Sequence, residues 1–163
     1  MDLLASTRGN IVVEIKIGKN PIRIISGYGP LEGSPNVKSF YCKLDEEIEK
    51  SIIDGCEVII QMDFNAKLGP EIIPGDPNEM SPNGQYLKEL IEKHNLFLGN
   101  SSTKCIGKIT RQRETVNGIE KSILDFFLTS PNLADHVKKI VIDDKREKVL
   151  TNFVTKKKSD HNV

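Results

Sequence analysis

Glu57-Val58-Ile59-Ile60-Gln61-Met62-Asp63-Phe64-Asn65-Ala66 is a short apolar run that ends in an acid, an aromatic and an amide. Its length, with Gly55 before it and a Pro/Gly-rich stretch over 68–82 after it, predicts a buried strand over 57–62. That strand delivers Asp63 and Asn65 to its C-terminal edge. Residues two apart on an extended chain point the same way, so the two polar groups stand together while Phe64 faces the core. Asp63 suits proton acceptance from water or binding of a divalent cation. Asn65 suits holding a nucleophile or donating to a phosphoryl oxygen. A turn in which the two residues merely cap the strand is the competing reading.

Working outward, residues 22–28 form a second strand that ends at Tyr28 and stops at Gly29-Pro30. Residues 11–17 make a hairpin with it through the turn signal Lys19-Asn20-Pro21. From Asn36 the period changes. Val37, Phe40, Tyr41, Leu44, Ile48 and Ile52 recur at helical spacing, with Asn36 as N-cap and Gly55 as terminator. A loop is expected over 68–82, then a helix over 83–94 with Tyr86, Leu87, Leu90 and Ile91 on one face. Leu96-Phe97-Leu98 reads as a strand and 103–118 as polar, turn-rich chain. Residues 122–129 read as an apolar strand interrupted by Asp125, and 133–142 as a short helix followed by a strand. Lys156-Lys157-Lys158 makes an exposed turn before Ser159-Asp160-His161-Asn162. Strands that alternate with helices, some of them paired as hairpins, predict layered sheets with helices outside, in one domain.

The 163 residues suffice for one domain with a real core, and 37% hydrophobic with 28% charged residues is ordinary globular composition. No apolar stretch approaches the roughly 18 residues of a membrane span, and the first residues lack the basic segment of a signal peptide. Three scattered cysteines fit neither a disulfide framework nor a zinc site, which points to a reducing, intracellular compartment, nuclear or cytoplasmic. Net charge is zero but unevenly placed: residues 1–100 hold 10 Lys/Arg and 15 Asp/Glu, and residues 101–163 hold 13 and 8. A basic C-terminal part attracts a polyanion, although a solvated lysine face explains the same count.

Three further positions carry chemistry. Asp125 sits within Ile123-Leu124-Asp125-Phe126-Phe127-Leu128, where a carboxylate is costly to bury without a partner. His161 is a suitable partner, because the pair keeps the imidazole charged and oriented. Asp160 suits a metal ligand or a water-orienting group, and His161 a general acid or a cation facing developing charge. Asp160 and His161 diverge on a strand and converge only in a turn. Tyr28 suits a hydrogen bond to a phosphate oxygen, although tyrosines at such positions more often belong to a core or an edge. His94 and His136 read as surface residues and the cysteines as packing residues.

The order of these pieces is more specific than any one of them. Tyr28-Gly29-Pro30, a helix, Asp63-Phe64-Asn65-Ala66, Ser122 to Leu128, and Ser159-Asp160-His161 together resemble the endonuclease/exonuclease/phosphatase superfamily over roughly residues 11–163. Within it the chain resembles the endonuclease domain of non-LTR (LINE-type) retrotransposon proteins and craniofacial development protein 2-like relatives. Gly84 and Asn95 to Asn100 also fit that pattern. The resemblance implies a four-layer α/β sandwich of DNase I type, and hydrolysis of DNA phosphodiesters with magnesium or, alternatively, manganese. It implies Tyr28 on the scissile phosphate, Asp63 activating water, Asn65 holding it, Asp125 orienting His161, and Asp160 with Asp63 near the metal. No membrane partner is expected; a monomer is the favoured state, with the oligomeric state left open.

Two departures stand out. Met62 replaces the glycine that usually precedes the first Asp. The family's upstream Asn and its metal-binding Glu have no counterpart, since Glu14 does not match. The chain is therefore expected to be an N-terminally incomplete version of the domain that also lacks its final strand. Catalytically impaired nucleic-acid binding and a phosphatase of the same superfamily remain the alternatives.

Overall fold

The computed structural model describes residues 2–7, 10–17, 20–147 and 158–162. Lys156, Lys157 and Val163 lie outside them, as does the Lys19 part of the first turn. Strands β1 (Asp2–Thr7), β2 (Asn10–Ile17), β3 (Asn20–Tyr28), β4 (Glu57–Asp63), β5 (Phe97–Leu98) and β9 (Asp125–Thr129) build one six-stranded sheet in the order β1-β2-β3-β4-β9-β5. Helix α1 (Val37–Ile53) joins β3 to β4, which run parallel, and α2 (Pro82–Lys93) precedes β5. Short strands β6 (Cys105–Ile106) and β10 (Ile140–Val141) pair in parallel, and β7 (Arg111–Thr115) with β8 (Gly118–Ser122) form a hairpin. A 3₁₀ segment covers Pro131–His136. The chain is thus a mixed α/β fold.

Alternation along the strands sorts the sheet into two faces. Val12, Ile25, Val58, Ile60, Met62, Phe126 and Leu128 are buried with Tyr41, Leu44 and Ile48 of α1 and Leu87 and Leu90 of α2. Phe64 and Phe126 meet edge to face at 5.9 Å at the centre of this core. On the opposite face, Ile22, Ile24, Ile59 and Phe127 are only half-buried. Cross-strand register puts Tyr28 beside Asp63, and Asp63 beside Asp125, on that second face at the C-terminal edge of β4.

Local chemistry explains the helix boundaries. Ser81 caps α2 by accepting from Gly84 N at 3.1 Å, and Pro82 occupies the first turn. Asn36 stands at the N-cap of α1 but makes no side-chain capping bond.

Two expectations change. The turn-rich stretch 103–118 contains β6 and β7. The strand expected over 122–129 is two pieces, because Ser122 closes β8 and Asp125 opens β9. Between them Phe64 N donates to Leu124 O at 2.9 Å and Thr110 Oγ1 accepts from Leu124 N at 2.9 Å, so the chain passes from hairpin to main sheet there. Among the described residues no helix is long and apolar enough to cross a membrane.

Candidate active site

Asp63 ends β4, Asp125 begins β9, and the two are directly opposed in the antiparallel ladder. His161 arrives from the far end of the chain, bridged to Arg111 of β7. Its Nδ1 lies 2.9 Å from Asp125 Oδ2, and its Nε2 lies 3.6 Å from Asp63 Oδ2. The first is hydrogen-bond distance and the second an ionic contact too long for a hydrogen bond. The imidazole therefore bridges two carboxylates.

The electrostatics differ among the three. The Asp125 hydrogen bond, and then the charges of Asp125 and Asp63, raise the His161 pKa against the opposing effect of burial. Burial, helped by the Asp125 charge, raises the Asp63 carboxyl pKa, while the Asn65 N–H and His161 oppose it. Asp125 is not the buried carboxylate that its apolar neighbours suggest. Its side chain is 36% exposed, whereas that of Asp63 is 9% exposed. Asp125 stands at the strand's first position, where the sheet edge opens.

Asn65 lies beyond the strand end at φ 47°, so it does not stand parallel to Asp63 as an extended chain would place it. Instead Asp63 Oδ1 accepts from Asn65 N at 2.8 Å, and Asn65 Nδ2 donates to Gly29 O at 2.8 Å. The side chain thereby ties the end of β4 to the end of β3. Tyr28 is 56% exposed and flanks Asp63. Asp160 is not one of the trio. It lies in a bend before His161, and its Oδ2 accepts from Arg111 Nε at 2.8 Å. Burial pushes the Asp160 carboxyl up, but Arg111 outweighs it and holds the pKa below the ordinary value.

Several supporting residues were given no role from the sequence, although Asn100 lies in the Asn95 to Asn100 stretch that fits the family pattern. Thr110 Oγ1 accepts from Leu124 N and Asp125 N at 2.9 and 3.1 Å. Asn100 donates to Asp125 O at 3.0 Å and accepts from Phe127 N at 2.9 Å. Asn83 Nδ2 donates to Pro30 O and Asn65 O at 2.9 and 3.0 Å. These residues hold the ends of β3, β4 and β9 in register. His94, expected at the surface, has a side chain only 5% exposed, with Nε2 2.6 Å from Asp45 Oδ1. It closes α2 onto α1 far from the trio.

Asp63, Asp125 and His161 each offer one ligand atom, all within 4.8 Å of one another. This is an acidic/His cluster able to hold a divalent metal. A protonated imidazole is no ligand, so the carboxylate oxygens of Asp63 and Asp125 are the better donors. Two carboxylates suit a hard cation that keeps most of its waters. Such a cation would also offset the burial, and the Asp125 charge, that raise the Asp63 pKa.

Residues 22–163 match the model of a family described as "Endonuclease-reverse transcriptase". The chain belongs to this endonuclease-reverse transcriptase family. The family is described as one of endonucleases, and the chain's structural neighbours include an endonuclease domain and a 3'-5' exonuclease. The chain is similar to the endonuclease domain of TRAS1, a telomere-specific non-LTR retrotransposon, with TM-score 0.64 and 19% identity over 94% of this chain and 60% of that one. It is similar to the 3'-5' exonuclease NExo from Neisseria meningitidis, with TM-score 0.66 and 15% identity over 94% and 62%. It is also similar to the catalytic domain of APE2 from Xenopus laevis, with TM-score 0.64 and 18% identity over 94% and 53%. The fold is therefore DNase I-like, and the chain spans less than two thirds of each of these relatives. No curated protein sequence matches it.

Proposed function

We propose that the chain performs magnesium-dependent, endonuclease-like hydrolysis of DNA phosphodiesters, and that it derives from a retroelement. The observation that carries this reading is the convergence of Asp63, Asp125 and His161 on one sheet edge within 4.8 Å. DNA is the favoured substrate because the family is one of endonucleases and a related NExo structure holds a product DNA hairpin.

A divalent ion on the Asp63 and Asp125 oxygens would supply Lewis-acid charge to phosphoryl oxygens. Asp63, at the C-terminal end of β4, orients an attacking water and takes its proton. Asn65 keeps its Oδ1 and one amide proton for that water. His161, held protonated by Asp125, faces the negative charge that develops on phosphorus-bound oxygen. Tyr28, exposed beside Asp63, donates to a phosphate oxygen. Asp160 carries Arg111 alongside the trio.

Nicking of supercoiled plasmid with magnesium, by wild type against Asp63→Ala, tests the reading. Nicking that vanishes with the substitution and with chelator supports it; equal nicking, or none, overturns it. DNA binding without cleavage is the second reading, favoured because Asn65 and Asp160 already spend polar groups on Gly29 and Arg111. Binding by both proteins with cleavage by neither would establish it.

A further inference from the structure

A cleft of about 480 Å³ opens between the β7–β8 hairpin, Arg146 and the Lys158–Asp160 segment that leads into His161. Arg113, Arg146 and Lys158 line it, and Ile119, 62% exposed, gives it an apolar wall. Its two acids are Glu114 and Asp160, and the Asp160 carboxylate is already held by Arg111.

Arg146 decides the character of this cleft. Its Nη1 donates to Gln112 O at 3.1 Å and its Nη2 donates to Ser159 O. Both acceptors are neutral backbone carbonyls, one on each side of the cleft. The guanidinium is fixed in place while its charge stays uncompensated by these bonds. Arg146 also holds φ 56°, in the left-handed region that residues other than glycine seldom adopt. The geometry therefore presents one tethered cation, two exposed cations and an apolar wall, beside the segment that leads into His161.

We propose that this cleft seats a neighbouring phosphate of the DNA strand whose scissile phosphate lies at Asp63 and His161. The choice of DNA as ligand rests on the proposed activity; the cationic cleft itself does not. Phosphate contacts of this kind carry no sequence information, but they fix the strand's register. They also favour a polynucleotide over a phosphomonoester, which has no second phosphate to offer.

The test is the affinity of the full chain for a fluorescein-labelled DNA duplex across a salt series, read by anisotropy. Arg113→Glu/Lys158→Glu is compared with Lys43→Glu, an exposed charge reversal on α1. The double variant is expected to bind at least about tenfold more weakly, with the slope of log K against log salt smaller by about 2. Lys43→Glu is expected to bind as wild type does. Equal affinity and slope for the double variant and wild type overturn the cleft, as does a wild type that nicks plasmid without salt-dependent binding. A wild type that binds through the cleft but nicks nothing keeps the cleft and overturns the proposed reaction. Circular dichroism of both variants confirms that a lost contact, not a lost fold, is measured.

Discussion

His161 Nδ1 lies 2.9 Å from Asp125 Oδ2, across 36 residues of chain. The bond raises the imidazole pKa above its ordinary 6.5. The stabilisation it provides is fully present below the unfolded value and is lost as pH rises through the folded one. Under the proposed mechanism the imidazolium is the active form. Asp125→Asn is therefore expected to shift the alkaline limb of the nicking rate to lower pH and to cut the rate about 10²- to 10⁴-fold. A pH–rate profile of plasmid nicking for both proteins checks this, and coincident alkaline limbs would contradict it.

Asp63 has the opposite balance. Burial and the neighbouring Asp125 charge raise its pKa, so the folded state favours the protonated form. Ionisation of Asp63 therefore costs stability, increasingly as pH rises through its raised pKa. Asp63→Asn removes that cost. It is expected to lower nicking at least about 10²-fold, while stability at neutral pH stays within about 1 kcal/mol of wild type or rises. Thermal unfolding measured beside nicking separates the two effects. A large loss of Tm would mean that Asp63 is structural.

Thr110 is 3% exposed and its Oγ1 accepts from two backbone N–H groups, those of Leu124 and Asp125. Thr110→Val preserves shape but leaves those donors without that acceptor, at a cost of about 1–3 kcal/mol each. Urea unfolding is expected to show a lower midpoint with an unchanged slope. Thr110→Ser, which restores the oxygen, should recover most of the loss.

Gly29 approaches the site backbone closely. A Cβ there would lie 2.5 Å from Phe64 O and 2.8 Å from Phe64 C. These are backbone atoms, so no rotamer relieves the clash. Gly29→Ala is expected to destabilise the chain by about 1–3 kcal/mol and to displace the Phe64–Asn65 peptide. Chemical denaturation reads the first effect and nicking the second; a neutral outcome in both would show that the strand ends yield freely.

Local pattern already determined much of this protein. Helical spacing from Val37 to Ile52 placed α1, the apolar face of Tyr86, Leu87, Leu90 and Ile91 placed α2, and the apolar run 57–62 placed β4 with Asp63 at its edge. These readings succeed because each rests on contacts between near neighbours or on one buried face. The β7–β8 hairpin was hidden, because its strands, Arg111–Thr115 and Gly118–Ser122, hold a single apolar side chain, the exposed Ile119, and so carry no apolar alternation. The order of motifs marked the family and nominated Tyr28, Asp63, Asn65, Asp125, Asp160 and His161. Only the tertiary structure decided how they face one another. The antiparallel register of β4 and β9 sets Asp63 against Asp125. The bridge from His161 to Arg111 brings the imidazole to both carboxylates, while the Arg111 side chain takes up the Asp160 carboxylate. A left-handed Asn65 swaps a parallel pair of side chains for a tie between strands. Each depends on pairing between segments distant along the chain, whose register no single segment encodes.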